Sequence, residues 1–181
     1  ITGTNKNPFG TTASDTQLNL GDGLGVTMQI KLEAGVAAGQ NFSRKVLFSV
    51  QCTNGKTIEV VLEKGTSSGD LYVVVFMSDT SSFSSANSSG LLKQFSNGVL
   101  DDGNWHTLTF NFTNDNQAIH LATSLFIDGS EITMSSHPWL GFNNTQFVGT
   151  VDNVIIGASN GRSGGNVLNM DMTIDNLAFF T

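Results

Sequence analysis

Residues 101–132 read DDGNWHTLTFNFTNDNQAIHLATSLFIDGSEI, and this stretch decides the fold. Asp101-Asp102-Gly103 makes an acidic-glycine turn. Trp105-His106 then opens a run in which Leu108, Phe110 and Phe112 alternate with Thr107, Thr109 and Asn111. Strand side chains point to opposite faces with a period of two, so the run has one apolar and one wet face. A polar insert follows. Leu125 and Ile127 lead into Asp128-Gly129, residue types that accept the positive φ of a tight hairpin, and a short return strand ends at Ile132.

The same period extends outward in both directions. Val26, Met28, Ile30 and Leu32 alternate with Thr27, Gln29 and Lys31; Val46, Phe48 and Val50 form the next apolar set. Ile58, Val60 and Leu62 stand opposite Glu59 and Glu63, which reads as a wet face. Leu71 to Met77 is apolar on both faces, which predicts a central strand. Val154 and Ile156 follow, and Met170 to Phe180 is the final strand. Turn signals at Gly21-Asp22-Gly23, Asn54-Gly55, Ser68-Gly69-Asp70, Asp102-Gly103, Asp128-Gly129 and Asn160-Gly161 separate the runs. Helical periodicity is hard to find. Strands at this spacing predict an all-β, antiparallel two-sheet sandwich, with residues 1–181 forming one domain. Ser-rich Ser78 to Asn97 is expected to be a long solvated loop. Ser135 to Gly149, SSHPWLGFNNTQFVG, is expected to be a loop folding back on the core. The absence of a starting Met and of a signal peptide suggests a domain excised from a longer chain.

Composition narrows the partners. Charged residues are 13% of the 181, about half the ~25% of soluble domains. Net charge is -7, and the eight Lys and Arg residues are scattered. A nucleic-acid footprint needs a basic face, and none is visible, so neither nucleic acid nor an anionic membrane surface is an expected partner. No apolar run approaches the ~18 residues of a membrane span. Cys52 is alone, so there is no internal disulfide, which tilts the source towards microbial or viral extracellular proteins.

The DG-x-W-H opening of residues 102–106 and the Asp128-Gly129 hairpin resemble the laminin-G-like and concanavalin-A-like lectin sandwiches. RKVLFSVQ at 44–51, VDNVIIGASNGR at 151–162 and MDMTIDNLAFFT at 170–181 match strands of the same fold. The resemblance implies a jelly roll whose last strand pairs beside its first, with Trp105 as a core or hairpin-packing residue. It also implies an extracellular recognition module. The nearest flavour is the lectin module of bacterial sialidases, where an Arg after the "IGA" turn helps bind a sugar carboxylate; Arg162 falls close to that position. No partner Arg–Glu pair is legible in the sequence. Relatives often hold calcium, for which Asp22, Asp101, Asp102, Asp128 and Asp175 are candidates. No D-x-D-x-D run gathers the six to eight oxygens that calcium takes. No cofactor is therefore expected, a structural calcium staying open.

Glycosidases also use this fold, but need two carboxyl groups about 5–9.5 Å apart. Glu59 and Glu63 on one strand face would be ~13 Å apart, and Asp171 and Asp175 fail alike. His106, His120 and His137 lack metal-ligand spacing, and no G-x-S-x-G surrounds a Ser. The chain is expected not to be an enzyme. Its ligand-binding candidates are Arg162 and Asn160 in a Gly-rich turn, Trp139 behind Pro138, Tyr72 and Arg44. A sugar's apolar face stacks on aromatic rings, while Asn and Arg read its hydroxyls. The expected function is binding of a glycan or glycoprotein at an extracellular, cell or virion surface. The alternatives are a protein-binding or structural module of an adhesin, viral spike or capsid protrusion, and a glycosidase or lyase. The oligomeric state is not encoded legibly.

Overall fold

The computed structural model describes residues 23–36, 43–53, 55, 57–64, 71–78, 88–96, 98–114, 121–136, 150–157 and 172–180. Their strands are β1 (Leu24–Leu32), β2 (Ser43–Cys52), β3 (Thr57–Lys64), β4 (Leu71–Ser78), β5 (Ser88–Phe95), β6 (Trp105–Asn114), β7 (Leu121–Ile127), β8 (Ser130–Ile132), β9 (Ser135–Ser136), β10 (Val151–Ile156) and β11 (Met172–Phe180). They form a five-stranded sheet in the order β11-β1-β6-β7-β8 and a six-stranded sheet in the order β10-β2-β3-β4-β5-β9. All these pairings are antiparallel. The last strand does lie beside the first, and the doubly apolar β4 is internal, between β3 and β5.

The core lies between the sheets. Val26, Met28, Ile30 and Leu32 of β1 and Leu108, Phe110 and Phe112 of β6 meet Phe48 and Val50 of β2, Ile58, Val60 and Leu62 of β3, and Leu71, Val73 and Val75 of β4. Phe48 is the bolt. Its ring makes edge-on contacts with Phe110 at 5.8 Å, Phe112 at 6.4 Å and Phe179 at 6.0 Å. All three belong to the opposite sheet, and the geometry places positive ring edges on negative faces. Cys52 is buried in this core.

Register shifts interrupt the alternation in β2, β10 and β11, and those in β2 and β11 bear on the core. In β2 the register slips between Val46 and Phe48, so Leu47 is an extra residue. Val46 therefore faces outward, while Leu47 and Phe48 both join the core. The sequence period had put Val46 and Phe48 on one face; a bulge changes that phase. In β11 the register slips opposite Thr27 to Gln29, with Asn176 at φ 50°. The slip keeps Leu177 and Phe179 against the core.

The Ser78 to Asn97 expectation needs correction. Ser88 to Phe95 is strand β5, paired with β4 from Leu71↔Phe95 to Ser78↔Ser88. Phe95 is buried and anchors it. The strand reads SSGLLKQF, so the Ser-rich run gives way to it at Ser88 and Ser89, a boundary that periodicity does not mark. Residues 137–149, the aromatic part of the second expected loop, lie outside the described residues; β9 precedes them and pairs with β5.

Candidate functional site

The signature stretch builds a fastener at one end of the core. His106 of β6 stands between two carboxylates: Nδ1 lies 2.8 Å from Asp128 Oδ2 and Nε2 lies 3.1 Å from Asp102 Oδ1. Asp128 sits in the β7–β8 turn at φ 51°, followed by Gly129 at φ 81°, the paired positive angles of a type I′ hairpin. Its other oxygen accepts the Thr107 N–H at 2.8 Å, and its own N–H donates to the Thr107 carbonyl at 2.9 Å. Asp102 also accepts from the Asn104 backbone and side chain, both at 2.8 Å. Those Asn104 hydrogen bonds first, and His106 second, hold the Asp102 carboxyl down at about 2. Burial alone would lower the pKa of His106, but the hydrogen bonds and charges of Asp128 and Asp102 outweigh it and the net shift is upward. Burial would raise Asp128, and the bonds from His106 and Thr107 bring it below its ordinary value. An imidazolium donates from both nitrogens, so the three groups favour one another's charged forms.

This arrangement ties turn 101–104, β6 and the β7–β8 hairpin together. The Asp102 and Asp128 carboxylates are both engaged with the His106 ring, whose charged form they favour. Asp101 is buried and accepts the Gly98 N–H at 2.7 Å, and Asp175 accepts the Asn176 N–H at 2.7 Å. Among the described residues no group of three or more acidic, His or Cys side chains gathers to hold a metal ion; Asp22 lies outside them.

Two of the sequence-derived candidates meet on the outer face of the six-stranded sheet. Arg44 of β2 pairs with Glu63 of β3, and Glu63 pairs in turn with Tyr72 of β4. The Arg44 guanidinium forms an ion pair with the Glu63 carboxylate and lies 5.7 Å from the centre of the Phe76 ring. An Arg–Glu pair therefore exists across the β2–β3 hairpin, where the bulge between Val46 and Phe48 sets which residue faces Arg44. Its charge is already partnered. Beyond it the face is apolar and covered: Val46, Val61, Val74 and Phe76 are buried, with Tyr72 packed against them. Glu59 is 0% exposed rather than on a wet face, and Ser49 is buried beside it. Arg162, Asn160 and Trp139 lie outside the described residues.

The outer face of the five-stranded sheet is different. Register sets its rows across β11, β1, β6 and β7. One row is Phe180, Gly25, Asn111 and Ser124. The next is Ala178, Thr27, Thr109 and Phe126, with Glu131 of β8 at its edge. Farther along come Asp175, Gln29 and Thr107, then Thr173, Lys31 and Trp105. The Thr27 and Thr109 hydroxyls are 3.1 Å apart, and Asn176 donates to the Gln29 side chain at 2.6 Å. Trp105 and Phe180 are each 44% exposed. Trp105 is therefore not a core residue: it shares the phase of Thr107 and Thr109, and His106 takes the inward position. A shallow cleft of about 540 Å³ opens at the Lys31 end, lined by Lys31, Leu32, Glu33, Ala34, Gly103, Met172 and Thr173. Sequence reasoning passed over Phe126 and Phe180. The available signal was an aromatic residue in the polar phase of an alternating strand.

No family model and no curated protein matches the chain. Solved structures do. The binding domain of botulinum neurotoxin serotype G matches at a TM-score of 0.51 with 10% identity, over 90% of this chain and 33% of that one. The receptor-binding domain of a mosaic serotype C/D neurotoxin, solved with tetraethylene glycol on its Hcn sub-domain, matches at 0.50 with 12% identity, again over 90% and 33%. This chain thus spans about a third of each. At such identity the likeness concerns architecture alone, and the architecture is the concanavalin-A-like two-sheet antiparallel sandwich.

Proposed function

We propose that the chain is a non-catalytic, extracellular glycan-binding module. The observation that carries this reading is the outer face of the five-stranded sheet. It is lined by Thr, Asn, Gln and Ser and carries Trp105, Phe126 and Phe180. Sugars need that combination: directional polar groups for hydroxyls and flat apolar rings for their C–H faces. The structural neighbours are named as binding domains, which accords with a binding role. The acid–base chemistry argues against a glycosidase at the signature cluster. One carboxyl of a glycosidase pair must carry a proton at working pH, whereas Asp102 and Asp128 are both pushed towards ionisation.

A glycan array of neutral and acidic structures tests the reading. Binding to a defined subset supports it; a blank array leaves a protein partner or a structural role in an adhesin, spike or capsid. A reducing-sugar assay on each bound glycan is expected to show no turnover. If the bound glycans are acidic, Arg162 is the proposed carboxylate contact, because its planar fork grips both oxygens. Affinity unchanged in Arg162→Lys removes that role.

A further inference from the structure

We infer that Phe180, lying flat on Gly25, is the stacking platform for a neutral pyranose ring, with Asn111, Ser124 and the Thr27–Thr109 hydroxyl pair reading its hydroxyls. The inference rests on the glycan-binding reading and assigns the site and the sugar class.

Glycine inside a strand weakens it and often marks close approach of another group. At Gly25 that group is visible. A Cβ there would lie 2.0 Å from Phe180 Cε2, 2.3 Å from Cζ and 2.4 Å from Cδ2. The two flanking carbons are almost equally distant and only slightly farther than Cε2. A point above the face of the ring has that property; a point beyond its edge would be relatively much farther from the neighbours. The ring therefore covers the Gly25 backbone face-down. Its opposite face turns away from the sheet, and the residue is 44% exposed. A large apolar side chain held flat at the surface of a two-residue-period strand is poised for a flat ligand.

The neighbours select the ligand. Asn111 is next to Gly25 in the same row, and Ser124 follows it. In the adjacent row one of the Thr27 and Thr109 hydroxyls donates to the other, which leaves one O–H unspent to donate outward. None of these side chains is charged, and the nearest row's only charge is Glu131 at the sheet edge. Phe126 stands three strands from Phe180 and one row along, about 14 Å across the sheet, so a second ring borders the polar strip. Among the described residues no cation lies in these two rows to meet an acidic sugar. A neutral pyranose offers polarised C–H groups to the negative ring face and hydroxyls to the amide and hydroxyl strip.

The test begins with the array. The wild-type protein is titrated calorimetrically with a neutral glycan it binds, beside Phe180→Leu, Phe180→Trp and Gly25→Ala. Phe180→Leu keeps an apolar residue without a ring and is expected to weaken binding about tenfold or more. Phe180→Trp is expected to stay within about threefold. Gly25→Ala leaves Phe180 in place chemically but lifts its ring off the sheet, and is expected to weaken binding like Phe180→Leu. Should these variants fold poorly, the wild type alone decides: saturating glycan should shift the Gly25 amide and Phe180 ring resonances above all others. Neutral-glycan affinity indifferent to Phe180→Leu, or shifts confined elsewhere, overturns the platform while the glycan reading stands. Binding of acidic glycans only does the same. A blank array overturns both.

Discussion

On the six-stranded sheet the outward side chains of β2, β3 and β4 include Val46, Val61, Val74 and Phe76, all buried. On the five-stranded sheet the outward side chains of β1 and β6 include Thr27, Gln29, Thr107, Thr109 and Asn111, half-buried at most. The two sheets share one core and differ in what their other faces are written to meet. A strand that is apolar in both phases has a second layer over it; a strand that alternates cleanly leaves one face for solvent or a ligand. The open polar face thus lies on β1, β6 and β11, and not around Arg44 and Tyr72.

Substitutions can break this comparison. The shared core sets the upper scale: Phe110→Ala removes a fully buried ring that contacts Phe48 and stacks on Phe112. The expected loss is about 3–5 kcal/mol in urea melts, and a loss below ~1 kcal/mol would mean that this phase is not the core. Val61→Ala tests the covered outer face and should cost about 2 kcal/mol. Its counterpart Thr109→Ser on the open face should stay within about 0.5 kcal/mol. Equal costs would erase the distinction between the faces. A double-mutant cycle on Arg44 and Glu63, whose side chains keep 15% and 18% exposure, should give a coupling of about 1 kcal/mol; zero coupling would free Arg44 for a ligand.

The smallest effect concerns pH. His106 has a raised pKa in the folded state, so its stabilisation is complete below the ordinary histidine value and is lost as pH rises through the raised one. Asp102 and Asp128 are lowered, so theirs is present above the ordinary carboxylate value and is lost as pH falls, for Asp102 towards about 2. The fastener is therefore strongest between the ordinary carboxylate and histidine ranges. Melts of wild type and His106→Gln should differ most near pH 5 and converge above the histidine range. A gap that widens with alkalinity would contradict this sign.

Much of the architecture was legible in the residues. The alternations of β1, β3 and β6 depend only on the pleat, and the Asp128-Gly129 turn depends only on φ. The strands went astray where an extra residue shifts the phase, at Leu47 and Asn176, because a bulge is settled by its partner strand. Glu59 looked wet and is buried along with Val46, Val61, Val74 and Phe76 on the outer face of its sheet, which no local pattern states. The Arg44–Glu63 pair was hidden because the bulge at Leu47 brings Glu63, and not Lys64, opposite Arg44. The family likeness implied a core or hairpin-packing role for Trp105, although its place in the alternation with Thr107 and Thr109 already pointed outward. Tyr72 was legible as opposite in phase to Leu71, but not as a neighbour of Glu63.

The pairing of β1 with β11 carries a consequence in time. Hairpins such as β2–β3, β3–β4 and β7–β8 join neighbours in sequence and close short loops. Gly25 and Phe180 join opposite ends of the described chain; closing that loop costs more than closing a hairpin, although the cost grows only with the logarithm of length, and such non-local pairings raise the contact order that slows folding. The Phe180 ring cannot settle over Gly25 until the last strand has been synthesised and docked. The surface assigned here to sugar recognition is thus completed only with the end of the fold, and a chain interrupted before β11 would expose the β1 edge without presenting that platform.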